Sequence, residues 1–322
     1  MPLVLSHEYS NPPREIALSV VVLNWNARDY LLACLHSLTT QNWRHNIEII
    51  VVDNDSNIDQ SVSRVRREYP QITLIALDHN RGFAGGNNVA LPQCRGRYLL
   101  FLNPDTVVHQ NALDILVDFL DSHPQVGACG PKLLNEDGTL QKSCRSFPGF
   151  GTGLFRSTFL GKLFPNNRFT RQYLMLDFSH DRETSVDWMS GAALCVRHRV
   201  LDEIGSWDES FFMYCEDVDL CRRMQDAGWE RWYVPSAVVT HRIGASSDWI
   251  QGKTIRRHHR AMFHYYKKHN ARGWRVLTVP IVFCGVLLRG AISMLKLYRK
   301  YAKYGVPNRP EDVKAWRGDT SS

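Results

Sequence analysis

Tyr98-Leu99-Leu100-Phe101-Leu102-Asn103-Pro104-Asp105 is an apolar run that stops at a polar turn. An unbroken apolar run of this kind reads as a strand buried on both faces, and Pro104 removes a backbone donor where it ends. Toward the N-terminus the same unit recurs three times. Ile16-Ala17-Leu18-Ser19-Val20-Val21-Val22-Leu23 is a β-branched strand run, followed at Asp29 to Leu38 by helical spacing with Leu31, Leu32, Leu35 and Leu38 on one face. Ile47 to Val52 is a second strand, ending at Asp53-Asn54-Asp55-Ser56, and a polar helix is expected from about Ile58 to Tyr69. Ile72 to Leu77 is a third, followed by a glycine-rich loop, Gly82 to Gly86, and a short helix. Beyond the opening run, Ala112 to Leu120 reads as a helix. Four strand–helix alternations predict an α/β fold, a mostly parallel sheet with helices on both faces. Such sheets bind ligands beyond the carboxyl ends of their strands. Asn24, Asp53, Asp78 and Asn103 to Asp105 fall at those ends, so they are expected along one edge.

The alternation stops after about residue 125. Val126 to Leu134 reads as a strand, and Gly149 to Arg182, rich in Phe, Arg and Gly, as an irregular mobile loop or lid. Val186 to Val196 carries a strand interrupted by Ser190-Gly191-Ala192, and Trp232 to Val239 a pair of short strands or a bend at Pro235. At 322 residues and 44% hydrophobic, the chain can bury one large core or two modest ones. The first fifteen residues lack the basic start and apolar run of a secretory signal. Eight cysteines include no C-x-x-C pair, which argues against a zinc ribbon or thioredoxin-like site. Their placement in apolar runs predicts a reducing, cytoplasmic compartment.

Charge divides the chain. Between Trp249 and Pro310 lie 14 Lys or Arg and no Asp or Glu; subtracting those 14 from the net charge of +7 leaves −7 elsewhere. The same segment holds Val276 to Leu288, where only Thr278 is polar, then Arg289, then the apolar Gly290 to Leu295. A span needs ~20 apolar residues, and an arginine in the middle opposes spanning. Flanking Lys267, Lys268, Arg272, Arg275, Lys296, Arg299 and Lys300 instead suit a helix or helical hairpin in the headgroup layer of an anionic membrane, with Tyr265, Tyr266, Trp274 and Tyr298 at the interface. The alternative is a core helix with a solvated basic face. No nucleic-acid reader motif accompanies the charge, so nucleic acid is not an expected partner. Two regions follow: 1–248, and a helical extension, 249–322.

Five motifs carry chemistry, each with a plainer reading. Asn80-Arg81-Gly82-Phe83-Ala84-Gly85-Gly86-Asn87-Asn88 lets backbone N–H groups approach a diphosphate or sugar, or is only a turn; it matches neither a dinucleotide fingerprint nor a P-loop. Asp53-Asn54-Asp55-Ser56 caps the next helix, or reads a base and ribose with Asp53 accepting from a pyrimidine N3–H. Asn103-Pro104-Asp105 is a strand-ending turn, or places Asp105 on Mg2+ or Mn2+ with substrate phosphates as co-ligands. Glu216-Asp217 at a helix start complements the helix dipole, or supplies a base. In that helix Asp219 and Arg223 are spaced for a surface ion pair, which leaves Glu216 and Asp217 without an evident structural task. His241, ending a strand run before Gly244, is a structural histidine or completes the metal site. One metal and one base are what displacing a diphosphate leaving group requires.

In chain order, VVVLNWN, VVDNDS, NRGFAGGNN, FLNPD, SGAALCVRHR, GSWDESFFMYCEDVDLCRR and VVTHRIGAS resemble glycosyltransferase family 2, with the GT-A fold, over roughly Leu18 to Ser247. The resemblance implies inverting, metal-dependent transfer from a nucleotide-sugar. It implies that Asn24, Asp53 and Asn54 contact the nucleoside and that Asn80, Gly82, Gly85, Gly86 and Asn87 line the donor site. Asp105 would bind metal in the position of the family's D-x-D; Asn103 stands where that motif has its first Asp, which puts ligation by residue 103 in doubt. Asp217 would be the general base, with Glu216 able to share the role, and Trp207, Asp208 and Glu209 would shape the acceptor pocket. The motifs are most similar to the rhamnosyltransferase branch, which builds bacterial surface polysaccharides such as O-antigen and cell wall. That branch implies transfer of L-rhamnose from dTDP-L-rhamnose to a polyprenyl-diphosphate-linked saccharide at the cytoplasmic face of the inner membrane, by a peripheral or monotopic enzyme. A UDP-sugar donor, galactose or N-acetylglucosamine, is the first alternative. A sugar-1-phosphate nucleotidyltransferase would need a basic glycine-rich loop where Asn24-Trp25-Asn26-Ala27 has neither. A non-catalytic sugar-nucleotide-binding protein would have no use for intact Asp105 and Glu216-Asp217.

Overall fold

The computed structural model describes residues 15–149, 151–152, 163–164, 167–242 and 251–306. Four parallel strands, β1 (Leu18–Asn24), β2 (Ile47–Asp53), β3 (Thr73–Ala76) and β4 (Tyr98–Leu102), stand in the order β3-β2-β1-β4. They are joined through α1 (Arg28–Thr39), α2 (Ser61–Glu68) and α3 (Gly82–Ala90). Both faces of β1 are covered, which is why its sequence is apolar without alternation. Val20 and Val22 pack with Leu31, Leu35 and Leu38 of α1, while Val21 and Leu23 pack with Ala84 and Ala90 of α3. In register, Asn24 lies opposite Asp53, and Val22 opposite Leu102, so the polar strand ends align along one edge.

The second half is mixed. It comprises β5 (Thr106–Val108), α4 (Ala112–Ser122), β6 (Val126–Leu134), β7 (Leu140–Gln141), β8 (Cys144–Arg145), α5 (Arg168–Tyr173), β9 (Thr184–Ser185), β10 (Trp188–Met189), β11 (Ala193–Arg197), α6 (His198–Ile204), α7 (Glu216–Asp226) and β12 (Glu230–His241). The full sheet runs β3-β2-β1-β4-β11-β6-β12-β5. Strand β11 enters antiparallel to β4 and sets Ala193 opposite Leu102, so the Ser190-Gly191-Ala192 turn before it meets Asn103. The Asn103 N–H donates to the Ala192 carbonyl at 2.9 Å.

Several expectations change in detail. Gly82 to Gly86 is the first part of α3 itself rather than a loop before a helix. Trp232 to Val239 belongs to one long strand, with an irregularity between Val234 and Val238 where Pro235 cannot donate to the ladder. Residues 150, 153–162 and 165–166 of the expected lid lie outside the described residues. Between Arg168 and Arg182, α5 is followed by Phe178 and His180, which pack against Tyr233. Asp53 to Ser56 does not cap α2, whose N-cap is Gln60. All eight cysteines are free thiols.

The C-terminal segment forms a hairpin. Helix α8 (Gln251–Tyr265) continues as a π turn, Tyr266–Asn270, and a 3-10 turn, Gly273–Thr278, leads into α9 (Val279–Tyr304). Phe263 meets Phe283 with ring centroids 5.1 Å apart, and the Tyr266 hydroxyl bonds Thr278 Oγ1. The inner face of α8 packs Ala261 and Tyr265 against Phe211 and Val218, just ahead of and within α7. Along the 3-10 turn and α9 the apolar side is uncovered. Leu277 is 79% exposed, Ile281 66% and Leu288 61%, and Gly273–Tyr304 is long and apolar enough to cross a membrane. The core-helix alternative therefore does not describe this segment. Trp274 and Tyr298 are exposed as expected, but Tyr265 and Tyr266 are buried, and Lys268 turns inward onto Asp208 and Asp219 instead of toward an interface.

Candidate active site

The polar edge of the parallel sheet is built by hydrogen bonds between successive strand ends. Asn24 Nδ2 donates to Asp53 Oδ2 at 2.8 Å and to Ser56 Oγ at 3.0 Å, and the Ser56 N–H returns to Asp53 Oδ1 at 2.9 Å. A carboxylate has about four lone-pair sites, so Asp53 keeps capacity for a base N–H. Both residues are buried, and Asn24 Oδ1 has no hydrogen-bond partner among the described residues. Asn54 ties this edge to the glycine element: it accepts from the Arg81 N–H at 2.8 Å and donates to the Gly82 carbonyl at 2.9 Å. Asn80 Oδ1 accepts from the Gly82 N–H at 2.9 Å. Gly82 has φ +75°, and a Cβ there would lie 2.2 Å from the Phe212 carbonyl oxygen, which itself accepts the Phe83 N–H at 2.7 Å. A Cβ on Gly86 would meet Leu23 at 2.5 Å. These glycines let α3 close on β1 and on the loop before α7. Asn87 is buried and donates back to the Phe83 carbonyl, and Gly85 lies beside Arg81 and Glu209. Asp78 does not join the edge; it is exposed and pairs with His79.

At the end of β4, Asp105 meets His241 from the end of β12. Gln141 Oε1 lies 2.7 Å from His241 Nδ1. A carboxamide oxygen can only accept, so Nδ1 carries a proton, and the neutral ring of this tautomer presents a lone pair at Nε2. That lone pair lies 3.4 Å from Asp105 Oδ1, which is buried and makes no hydrogen bond, and 3.4 Å from the amide nitrogen of Asn103. Facing electron pairs on a carboxylate and a neutral imidazole, with the imidazole oriented from behind, fit a shared cation. Asn103 braces the imidazole and brings no second carboxylate. Among the described residues no three His, Cys, Asp or Glu cluster. A hard cation here would draw its remaining oxygens from substrate phosphate and water, as Mg2+ commonly does.

The acidic pair opens α7. Asp217 Oδ2 accepts the Gly191 N–H at 3.1 Å and Oδ1 accepts the Val218 N–H at 2.8 Å. Asp217 thus has a structural contact, and it reaches the metal-side turn through Gly191 and Ala192. Burial raises the Asp217 carboxyl above its ordinary range; burial and then the Asp217 charge raise Glu216 well above its own. Glu216 Oε2 is buried with no hydrogen-bond partner among the described residues. The two bonds to Asp217 favour its ionised form, so a proton shared by the pair resides on Glu216.

Trp207 is 2% exposed and packs edge-on against Phe83 and Phe101, which makes it a core residue beneath the site rather than an open wall. Its backbone is locked by Asn88, which donates to the Trp207 carbonyl at 2.9 Å and accepts its N–H at 3.1 Å. Glu209 bonds Asn88 and Arg81, and Asp208 is held by Lys268 at 2.6 Å. Asp219 does pair with Arg223 at 2.8 Å, but it is fully buried, not at the surface. Sequence reading missed Ser56, Gln141 and Asn88 as supports. Asn88 and Ser56 lay in quoted motifs; Gln141 carried no signal of its own, because its partner lies 100 positions away.

The comparisons with known proteins agree with this geometry. A family model described as glycosyltransferase like family 2 matches residues 13–280. The N-acetylglucosaminyl-diphospho-decaprenol L-rhamnosyltransferase of Mycobacterium tuberculosis is 29% identical over 288 residues, covering 86% of this chain and 91% of that protein. Rhamnosyltransferase WbbL of Escherichia coli is 25% identical, covering 76% and 91%. Among solved structures, the mannosyltransferase PcManGT of Pyrobaculum calidifontis, in complex with GDP-Man and Mn2+, superposes with a TM-score of 0.55 at 16% identity, covering 98% of this chain and 92% of that one. GalNAc-T7 with UDP, GalNAc and Mn2+ gives 0.53 at 15% identity, covering 71% and 44%. The chain thus has the GT-A glycosyltransferase fold and belongs to glycosyltransferase family 2.

Proposed function

We propose that the protein transfers L-rhamnose from dTDP-L-rhamnose, with inversion, onto a polyprenyl-diphosphate-linked saccharide at the cytoplasmic face of the membrane. The observation that carries the chemistry is the approach of Asp105 Oδ1 to His241 Nε2, on the same edge as the half-buried Asp217 carboxylate. The rhamnosyl donor and the polyprenyl acceptor rest on what the two bacterial relatives are named for.

Asp105 Oδ1 and His241 Nε2 would hold Mg2+ or Mn2+, with Gln141 fixing the tautomer and orientation of the imidazole. When bound, the cation supplies Lewis-acid stabilisation to the departing nucleoside diphosphate. Asn24, Asp53 and Asn54 hold the nucleoside end, and Asn80 with Gly82, Gly85, Gly86 and Asn87 lines the donor. Asp217 takes the proton of the acceptor hydroxyl as its oxygen attacks the anomeric carbon opposite the diphosphate. One displacement assisted by one base inverts that carbon. Glu216 keeps its proton and leaves Asp217 the charged member. Trp207 supports the acceptor side from below, with Asp208 and Glu209 at its rim. Residues 1–248 form the transferase domain. Residues 249–322 form a membrane-associating extension, whose exposed apolar α9 and basic flanks suit an anionic surface.

Thermal unfolding with dTDP-L-rhamnose, UDP-galactose and UDP-N-acetylglucosamine, each with and without Mn2+, tests this, because a ligand bound to the native state raises the midpoint. A Mn2+-dependent rise with dTDP-L-rhamnose, lost in Asp105→Ala, is expected. A rise with UDP-sugars alone overturns the donor, and an unchanged rise in Asp105→Ala removes that residue from the metal site.

A further inference from the structure

Asp219, two residues after the acidic pair, has no part in the chemistry above, yet it is fully buried and holds more charged partners than any other described carboxylate. Arg223 Nε lies 2.8 Å from Oδ2, and Lys268 Nζ and His269 Nε2 each lie 2.6 Å from Oδ1. Burial alone would raise this carboxyl; the bonds from His269, Lys268 and Arg223 hold it below the usual range. Lys268 also reaches Asp208 Oδ2 at 2.6 Å, on the loop that leads to Glu216. Arg223 continues the chain of bonds, donating to the carbonyls of Ile204, Gly205 and Ser206 where that loop begins. The start of the loop, from Ile204 to Asp208, and the first turn of α7 are therefore tied to one buried charge. Two of the three tethers come from the π turn between α8 and α9. A buried ion held by several charged hydrogen bonds does little for net stability, but losing one partner leaves an uncompensated charge beside Glu216 and Asp217.

We propose that Lys268 and His269 are positioning residues for transfer. Acting through Asp219, they hold the first turn of α7, and so Asp217, at its contact with Gly191. The extension that meets the membrane is then a working part of the site as well as an anchor. This rests on Asp217 being the base. The groups facing Asp219 are Glu216, Asp217 and Arg223 on α7, Cys215 before it, Lys268, His269 and Tyr265 from the C-terminal segment, and Asp208 across Lys268.

The test compares full-length wild type with Lys268→Met, Lys268→Arg and His269→Gln. Lys268→Met is expected to lower kcat about tenfold while the calorimetric Kd for donor nucleotide stays within about twofold, since a small misplacement of a reacting group is costly while binding is not. Its acid limb in kcat/KM moves to higher pH, because the Asp219 charge is less compensated. Lys268→Arg restores most of kcat. Amide exchange at Gly191 and Val218, whose N–H groups hold Asp217, accelerates in Lys268→Met and His269→Gln whatever the donor proves to be. Wild-type kcat and unmoved exchange in Lys268→Met overturn the proposal. Equal losses of kcat and of donor binding overturn it too, by showing a merely structural role. Absence of transfer by wild type from dTDP-L-rhamnose would instead count against the rhamnosyl reading, and the exchange measurement would still decide the role of Lys268.

Discussion

Asp217→Asn separates the base from the binding site. The substitution is nearly isosteric, and the new amide oxygen can keep one of the two backbone donors, Gly191 N–H at 3.1 Å or Val218 N–H at 2.8 Å. The other then faces an NH2 group, a loss of one hydrogen bond worth about 1 kcal/mol, partly offset by removing a buried charge. The fold and donor site should survive. Catalysis should not: losing a positioned base costs roughly 10²–10⁴-fold, or about 3–5 kcal/mol of transition-state stabilisation. A complication is built into the pair. The Asp217 charge helps keep Glu216 protonated, so neutralising Asp217 lowers Glu216 toward its ordinary range. If Glu216 could reach the acceptor, it would take over. Steady-state kcat, donor Kd by calorimetry and the pH profile distinguish these cases. Wild type should lose activity on acidification through a value above the ordinary aspartate range, because burial raises Asp217. The variant should bind donor normally and show only residual turnover. A kcat within tenfold of wild type refutes Asp217 as the base. Elimination of that activity by a further Glu216→Gln would then pass the role to Glu216.

Two further outcomes follow from the same geometry. Glu216 is raised well above its ordinary range, so its contribution to stability is present in acid and lost as pH rises through its folded value; Glu216→Gln should gain thermal stability relative to wild type as pH increases toward 8, and a pH-independent difference in midpoint would contradict this. Gly82→Ala places a Cβ 2.2 Å from the Phe212 carbonyl at φ +75° and strains the bond from the Phe83 N–H; about 2–4 kcal/mol of stability should be lost in urea unfolding, and an unchanged midpoint would show that the close approach is not maintained in solution.

The parallel-sheet half of this protein is legible in its sequence because its order is local. β4 is an unbroken apolar run, β1 and β2 are interrupted before their ends only by Ser19 and Glu48, and parallel register alone brings Asn24, Asp53 and Asn103 to one edge. The glycines and the acidic start of α7 were also readable, since helix starts and close backbone approaches leave residue-type signatures. Surface or core was not. Asp219 and Arg223 fit a surface helix pair by spacing, and Lys268 and Tyr266 fit a membrane flank by composition. Only the packing of α8 onto the loop ahead of α7 turned them inward. Likewise, Asp105 meets His241 and Gln141 only after β12 and β7 have crossed to the end of β4, and Asp217 finds Gly191 only because β11 enters antiparallel. Periodicity and residue type report what a segment prefers over a few residues. Which lone pairs face each other across 136 positions depends on how the whole sheet is ordered, and that is decided by the burial of all its faces at once.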